Sequence, residues 1–281
     1  MSYLTNPSMT PSKNLKNTKS NKTIKLLKNK LADSLMAWSI PIVFVILWFY
    51  LTDGKISTRL FPTPFELVHT TIRLIQDGTL LVNLQISSIR ALLGLLVGGS
   101  IGFILGITTG QFKLAEKILN TPIQMIRNVP HLAMLPVVLI WFGIGESSKL
   151  VLISLGTFFP IYLNTFHGIR SIDKSLIEMG KIYGFSAFEM FKNIILPGAT
   201  SSIMIGVRQS LGRMWLTLIV AETIAAKSGI GYMATNAREL MMMDVIVLSL
   251  IIYALLGSIS DFIAVAIEKY LLRWNPNYQE E

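Results

Sequence analysis

Six stretches of the chain are apolar for the length of a membrane crossing, near residues 34–51, 87–109, 121–143, 149–168, 199–221 and 245–267. A hydrocarbon core about 30 Å thick needs roughly 20 mostly apolar residues per helix, so each stretch predicts one spanning helix. The third is interrupted by Pro122, Pro130 and Pro136. Each proline removes a helical N–H donor, so this stretch is either one kinked helix or a re-entrant segment. The longest connection on the outer side, 52–86, carries Pro62 and Pro64 ahead of Phe65, Val68, Ile72 and Ile75. That three-and-four spacing predicts an amphipathic helix lying on the membrane surface. The expected fold class is an all-α integral membrane protein.

Composition agrees. Of the 281 residues 52% are apolar, and only 15% are charged, against roughly 25% in ordinary globular domains. The formal charge of +9 is concentrated in the tail: Lys13, Lys16, Lys19, Lys22, Lys25, Lys28 and Lys30 all precede the first acid, Asp33. A disordered basic tail over residues 1–33 is expected, and beyond it the body, 34–276, is nearly neutral. A basic nucleic-acid-binding domain is thereby excluded; the tail instead fixes orientation. With it inside, sixteen lysines and arginines fall on the cytoplasmic side and seven outside (Lys55, Arg59, Arg73, Arg90, Lys149, Lys227 and Arg238). The excess predicts cytoplasmic N- and C-termini, the latter a short tail over 277–281. A contact of the tail with anionic lipid is the alternative role.

Chemistry of its own is hard to find in the chain. It has no cysteine and no Gly-x-x-x-x-Gly-Lys-Ser/Thr phosphate loop, and its three histidines are scattered. No metal cluster, nucleophile elbow or paired intramembrane carboxylate is legible, so transport is expected rather than catalysis.

The most informative polar stretch is the connection 171–198, expected in the cytoplasm. Glu178 and Gly184 lie six residues apart, and nine residues later come Ile194, Leu196 and Pro197. The pattern predicts helix, glycine turn and helix, the second piece ending at Pro197 before the fifth span. Ile177, Ile182, Phe185, Phe188 and Phe191 give this loop more apolar surface than a connector needs. In these residues and their spacing the loop resembles the coupling loop of ABC importer permeases. Met179 stands where that family usually has alanine, and Gly180 keeps the next position small. Residues 124–133, 141–145, 159–170, 215–223, 228–232, 236–239 and 273–276 are similar to the aliphatic-sulfonate branch of the nitrate, sulfonate and taurine group. The resemblance implies a type I ABC importer permease fold of six spans in a bacterial inner membrane. It also implies a homodimer, two ATPase subunits that hold the ATP and magnesium, and an extracytoplasmic binding protein. The loop 223–243, with turn glycines Gly229 and Gly231, resembles the outer loop that meets the binding protein. Taurine, nitrate, a thiamine precursor or another small oxyanion are alternative cargoes, and a secondary transporter or channel is the alternative class.

Three features inside the spans bear on mechanism. Gly94, Gly98, Gly102, Gly106 and Gly110 recur every four residues, which predicts a close helix contact, either static packing or a sliding surface. Around the prolines of the third span, Arg127, Asn128 and His131 are candidates for the translocation path; the alternative is a simple kink with His131 packed in the bundle. Arg208, Arg213 and Trp215 of the fifth span are further path candidates. Arg208 and Asp261 of the sixth span lie at similar depth and are expected to pair, while Arg213 points about 140° away from Arg208.

Overall fold

The computed structural model describes residues 39–52 and 61–274. The basic tail, Lys55, Arg59 and the C-terminal residues 275–281 lie outside the described residues, as does the start of the first expected span. Two units are distinguished, 1–64 and 65–281. In the first, helix α1 (Ser39–Thr52) is apolar and short. Its Trp48 Nε1 donates to the Pro62 carbonyl at 3.1 Å, and the Trp48 ring meets Phe61 edge-on.

The second unit is helical throughout, with no strand among its described residues. Pro64 opens α2 (Pro64–Gln76), whose Phe65, Val68, Ile72 and Ile75 all face outward while Leu67 and Thr70 are buried. Gly78, at φ +72°, takes the left-handed conformation that separates α2 from α3 (Thr79–Gln111). The α3 helix therefore begins eight residues before the expected 87, because the 79–86 stretch, with Leu80 buried in the core, is helical and not part of the outer connection.

The expected third span is α4 (Lys113–Arg127) and α5 (Leu135–Phe142), joined by the 3₁₀ turn His131–Met134 and bent by 85°. The break falls at Pro130. Pro122 is carried inside α4, and Pro136 sits in the first turn of α5, where no N–H is needed. Next come α6 (Glu146–Arg170), α7 (Lys174–Ile182), α8 (Ala187–Met190), α9 (Leu196–Ala225), α10 (Ile230–Glu239) and α11 (Met243–Leu271). A single π-helical turn, Phe191–Ile195, joins α8 to α9. Among the described residues four helices are long and apolar enough to cross a membrane: Thr79–Gln111, Glu146–Arg170, Ala187–Ile224 and Met243–Leu271. The bent α4–α5 pair makes a fifth if it is one crossing.

Helix α6 lies between α3 and α9. The five-glycine stripe of α3 faces α6 in ascending register, Gly94 on Ile153, Gly98 on Ser154 and Thr157, Gly102 on Phe158, Gly106 on Thr165 and Gly110 on Ile169. The two helices are thus parallel. A Cβ at Gly102 would lie 2.6 Å from the Phe158 carbonyl oxygen. Such an approach of backbones replaces the missing hydrophobic drive between helices in lipid with close van der Waals packing. On its other side α6 meets α9 in descending, antiparallel register: Thr217 on Gly156, Ser210 Oγ donating to the Thr157 carbonyl at 2.8 Å, and Ser202 on Gly168. The α10 helix turns back into the bundle, where Ile230, Met233 and Ala237 join Leu80, Ala91, Trp215, Leu218 and Tyr253.

Candidate functional site

At one end of the bundle the segment between α6 and α9 folds into a compact elbow. Asp173 caps α7 by accepting from the Ser175 N–H at 2.9 Å, a bond that holds its carboxyl below the usual carboxylate range. The elbow turns at Gly184, φ +75°, and Ser186 restarts the helix with a capping box closed by Glu189. Gly180 is buried where α7 meets the second arm: a Cβ there would lie 2.8 Å from both Ile194 Cδ1 and Met190 Cε. A larger residue at Gly180 would displace the ends of the Ile194 and Met190 side chains, and Ile194 is its counterpart across the elbow.

Pro197 does not end the second arm. The helix runs through it, because the preceding π turn, in which the Leu196 N–H reaches the Phe191 carbonyl, widens the helix where proline removes a donor. The elbow's second arm is thereby continuous with α9. The elbow's outer surface carries Leu176, Met179, Ile182, Tyr183 and Phe188, with Ile182 at 85% and Phe188 at 71% exposure, beside the exposed Glu178. An exposed apolar patch of this kind is the sort of surface that takes a protein or membrane contact.

Along α9 the polar side chains divide by face. Arg208, Trp215 and Glu222 all reach α11. Arg208 Nε donates to Asp261 Oδ1 at 3.0 Å and Arg208 Nη2 to Asp261 Oδ2 at 3.3 Å, with Glu268 3.7 Å from Nη1. Trp215 is buried, its Nε1 donating to Ser260 Oγ at 2.9 Å and its ring against Tyr253. It therefore belongs to the helix contact and lines no open face. Arg213 is exposed on a different face. In the break between α4 and α5, Arg127 and Asn128 are exposed, while His131 Nε2 lies 3.1 Å from Thr217 Oγ1. His131 is thus brought to α9 and held there by a hydrogen bond.

A second polar constellation sits at the opposite end of the bundle, around Arg90. Arg90 and Lys149, counted among the outer charges, are almost fully buried there, at 5% and 3% side-chain exposure. Arg90 Nε and Nη2 fork onto Glu146 at 2.6 Å each, and Nη1 donates to Glu222 Oε1 at 2.8 Å and to the Ser228 carbonyl at 2.6 Å. Glu222, with no exposed side chain, also accepts from Ser87 Oγ, the Gly231 N–H and the Tyr253 hydroxyl. Ser87 in turn accepts the Ile230 N–H, and Asn83 the Gly229 N–H. Gly229, φ +107°, and Gly231 leave room for the Glu222 carboxylate; a Cβ at Gly231 would lie 2.6 Å from Glu222 Cβ. The network locks the turn before α10 to α3, α6, α9 and α11. Its one sequence signal is the placement of Arg90 and Glu222 inside otherwise apolar helices, where charge demands a partner.

Residues 98–273 match the family described as binding-protein-dependent transport system inner membrane component. The chain is 53% identical over 242 residues to the putative aliphatic sulfonates transport permease protein SsuC of Escherichia coli (strain K12), covering 86% of this chain and 92% of that one. It is 40% identical to the SsuC permease of Bacillus subtilis (strain 168), covering 85% and 87%. Among solved structures, a chain from the crystal structure of an amino acid ABC transporter with histidines superposes with a TM-score of 0.58 at 15% identity, over 73% of this chain and 97% of that one. This last likeness concerns the fold.

Proposed function

The chain belongs to the binding-protein-dependent transport system inner membrane components, and from that premise we propose that it is the path by which an ATP-driven importer takes up aliphatic sulfonates. Membership makes it a multi-pass inner-membrane permease of an ABC importer, a transport subunit and not an enzyme, working with an ATPase partner. The sulfonate assignment rests on likeness to the E. coli permease over most of both chains.

The observation that carries the coupling mechanism is the exposed apolar elbow of α7 and α8. Its Ile182 and Phe188 enter a groove of the ATPase subunit, with Glu178 at the rim. Gly184 sets the bend, and Ile194, Leu196 and Pro197 pass the motion into α9. ATP and magnesium are held by that partner, and this chain contributes no cofactor site. Two copies form the path, rocking between inward- and outward-facing states, and an extracytoplasmic binding protein delivers cargo at the Arg90 end. Both termini lie in the cytoplasm. The sixteen-to-seven lysine and arginine excess supports this orientation. A deletion strain tests the cargo: growth on an alkanesulfonate as sole sulfur source is lost and restored by the intact gene. Undiminished growth, with no second importer present, refutes it.

A further inference from the structure

Near the middle of α9 one exposed face interrupts the apolar surface. Ile205, Gln209, Gly212, Arg213 and Leu216 lie along it, all exposed. Among the described residues neither Gln209 nor Arg213 makes a hydrogen bond or ion pair, in contrast to Arg208, which Asp261 and Glu268 hold on another face. Gln209 and Arg213 are four residues apart, so their side chains stand one above the other, about 6 Å apart along the axis. Gly212 adds nothing to cover them, and a Cβ there would meet open space. One turn further on is Thr217, which holds His131 from the α4–α5 break. Thr217 itself is fully buried, so the exposed face presents two donors, Gln209 and Arg213, and no carboxylate.

A guanidinium at that depth is tolerated where it faces water or a compensating group. We propose that the Gln209–Arg213 face is where the translocation path receives the anionic head of its cargo, on the reading that this chain is the sulfonate permease. A sulfonate carries three acceptor oxygens. The planar fork of Arg213 engages two, and the Gln209 amide donates to the third. One guanidinium and one amide, with no further charged partner, keep the contact weak, which release requires.

The chain contains no cysteine, so Arg213→Cys places a single thiol in it. The complete complex, with ATPase subunits and binding protein in proteoliposomes, is compared before and after thiol modification. Uptake of an alkanesulfonate is expected to fall about tenfold or more on loss of the charged donor, while stimulation of ATP hydrolysis by loaded binding protein persists. Aminoethyl methanethiosulfonate, which restores a cation, recovers uptake; the anionic sulfonatoethyl reagent does not. Wild-type uptake in Arg213→Cys, or a loss in an assembled complex that the cationic reagent fails to recover, overturns the proposal. If Arg213→Cys does not assemble, Gln209→Glu decides: a carboxylate one turn away occupies Arg213 and abolishes uptake in an assembled complex. Normal uptake there, or losses that merely track assembly, assign Arg213 to subunit contact and overturn the site. An unmodified complex that imports no alkanesulfonate refutes the cargo itself, and that control is read before any variant.

Discussion

Replacing Arg90 by methionine removes the cation from the buried network and leaves the Glu222 side chain, with no exposure, only three neutral donors, Ser87, Gly231 N–H and Tyr253. Lys149 cannot substitute, since it already contacts Glu146 at 2.7 Å. Breaking a buried ion pair from one side costs about 3–5 kcal/mol. The reverse change, Glu222→Gln, is milder. Arg90 keeps the Glu146 fork and the Ser228 carbonyl, and the hydroxyls of Ser87 and Tyr253 can rotate to accept from the new amide. Arg90 Nη1 and the Gly231 N–H are fixed donors on opposite carboxylate oxygens, so the single amide oxygen serves one and leaves the other facing an NH2, an unmatched contact of about 1–3 kcal/mol. Glu146 is 60% exposed, so its share of the Arg90 contact is discounted to the ~0.2–1 kcal/mol of a surface pair. The expected order is thus Arg90→Met well below Glu222→Gln in stability, with the double variant more stable than Arg90→Met alone. Denaturant titration of the purified protein in detergent micelles, followed by tryptophan fluorescence, measures all three. Equal costs, the opposite order, or a double variant that is simply the sum would refute the account of Glu222 as the dependent partner.

Gly102→Leu thrusts a side chain at the Phe158 backbone, with the Tyr162 nitrogen 3.2 Å from its Cβ. If the α3–α6 contact is static, folded yield drops by the equivalent of about 1–3 kcal/mol or more, whereas Gly257→Ala, with nothing within 4 Å, leaves the fold intact. Normal assembly with impaired transport in Gly102→Leu would instead mark a sliding surface. Arg208→Asp and Asp261→Arg should each lower expression, and combining them should recover part of it by re-forming the pair. No recovery would count against a structural pairing. Ile182→Asp with Phe188→Asp should abolish co-purification of the ATPase subunit while the permease stays folded in detergent, and retained co-purification would place the docking surface elsewhere.

What could be read from the sequence follows the range of the interactions involved. Apolar runs and the elbow are local: span length, the glycine spacing of α3 and the spacing from Glu178 to Pro197 need no knowledge of distant residues. The Arg208–Asp261 contact was legible because both charges lie inside apolar helices at matched depth. The same logic applies to Arg90 and Glu222, yet Arg90 lies near the outer end of its expected span, where it counts simply as one of the outside charges. What hid it was the helical stretch 79–86, which extends α3 beyond the apolar run. The partners are also 132 residues apart, joined by a third and fourth element that no spacing encodes. The π turn before Pro197 was likewise hidden, since proline alone signals a stop and only the geometry of Phe191–Ile195 shows how the helix passes it.

The central claim is that this chain moves a sulfonate only when an ATPase drives it. Uptake of a labelled alkanesulfonate into proteoliposomes tests it most directly, comparing the chain alone, the chain with its ATPase subunit, and both with the binding protein. The account predicts accumulation only in the complete complex and only with ATP. Uptake by the chain alone, or ATP hydrolysis by the complete complex without accumulation, would contradict it.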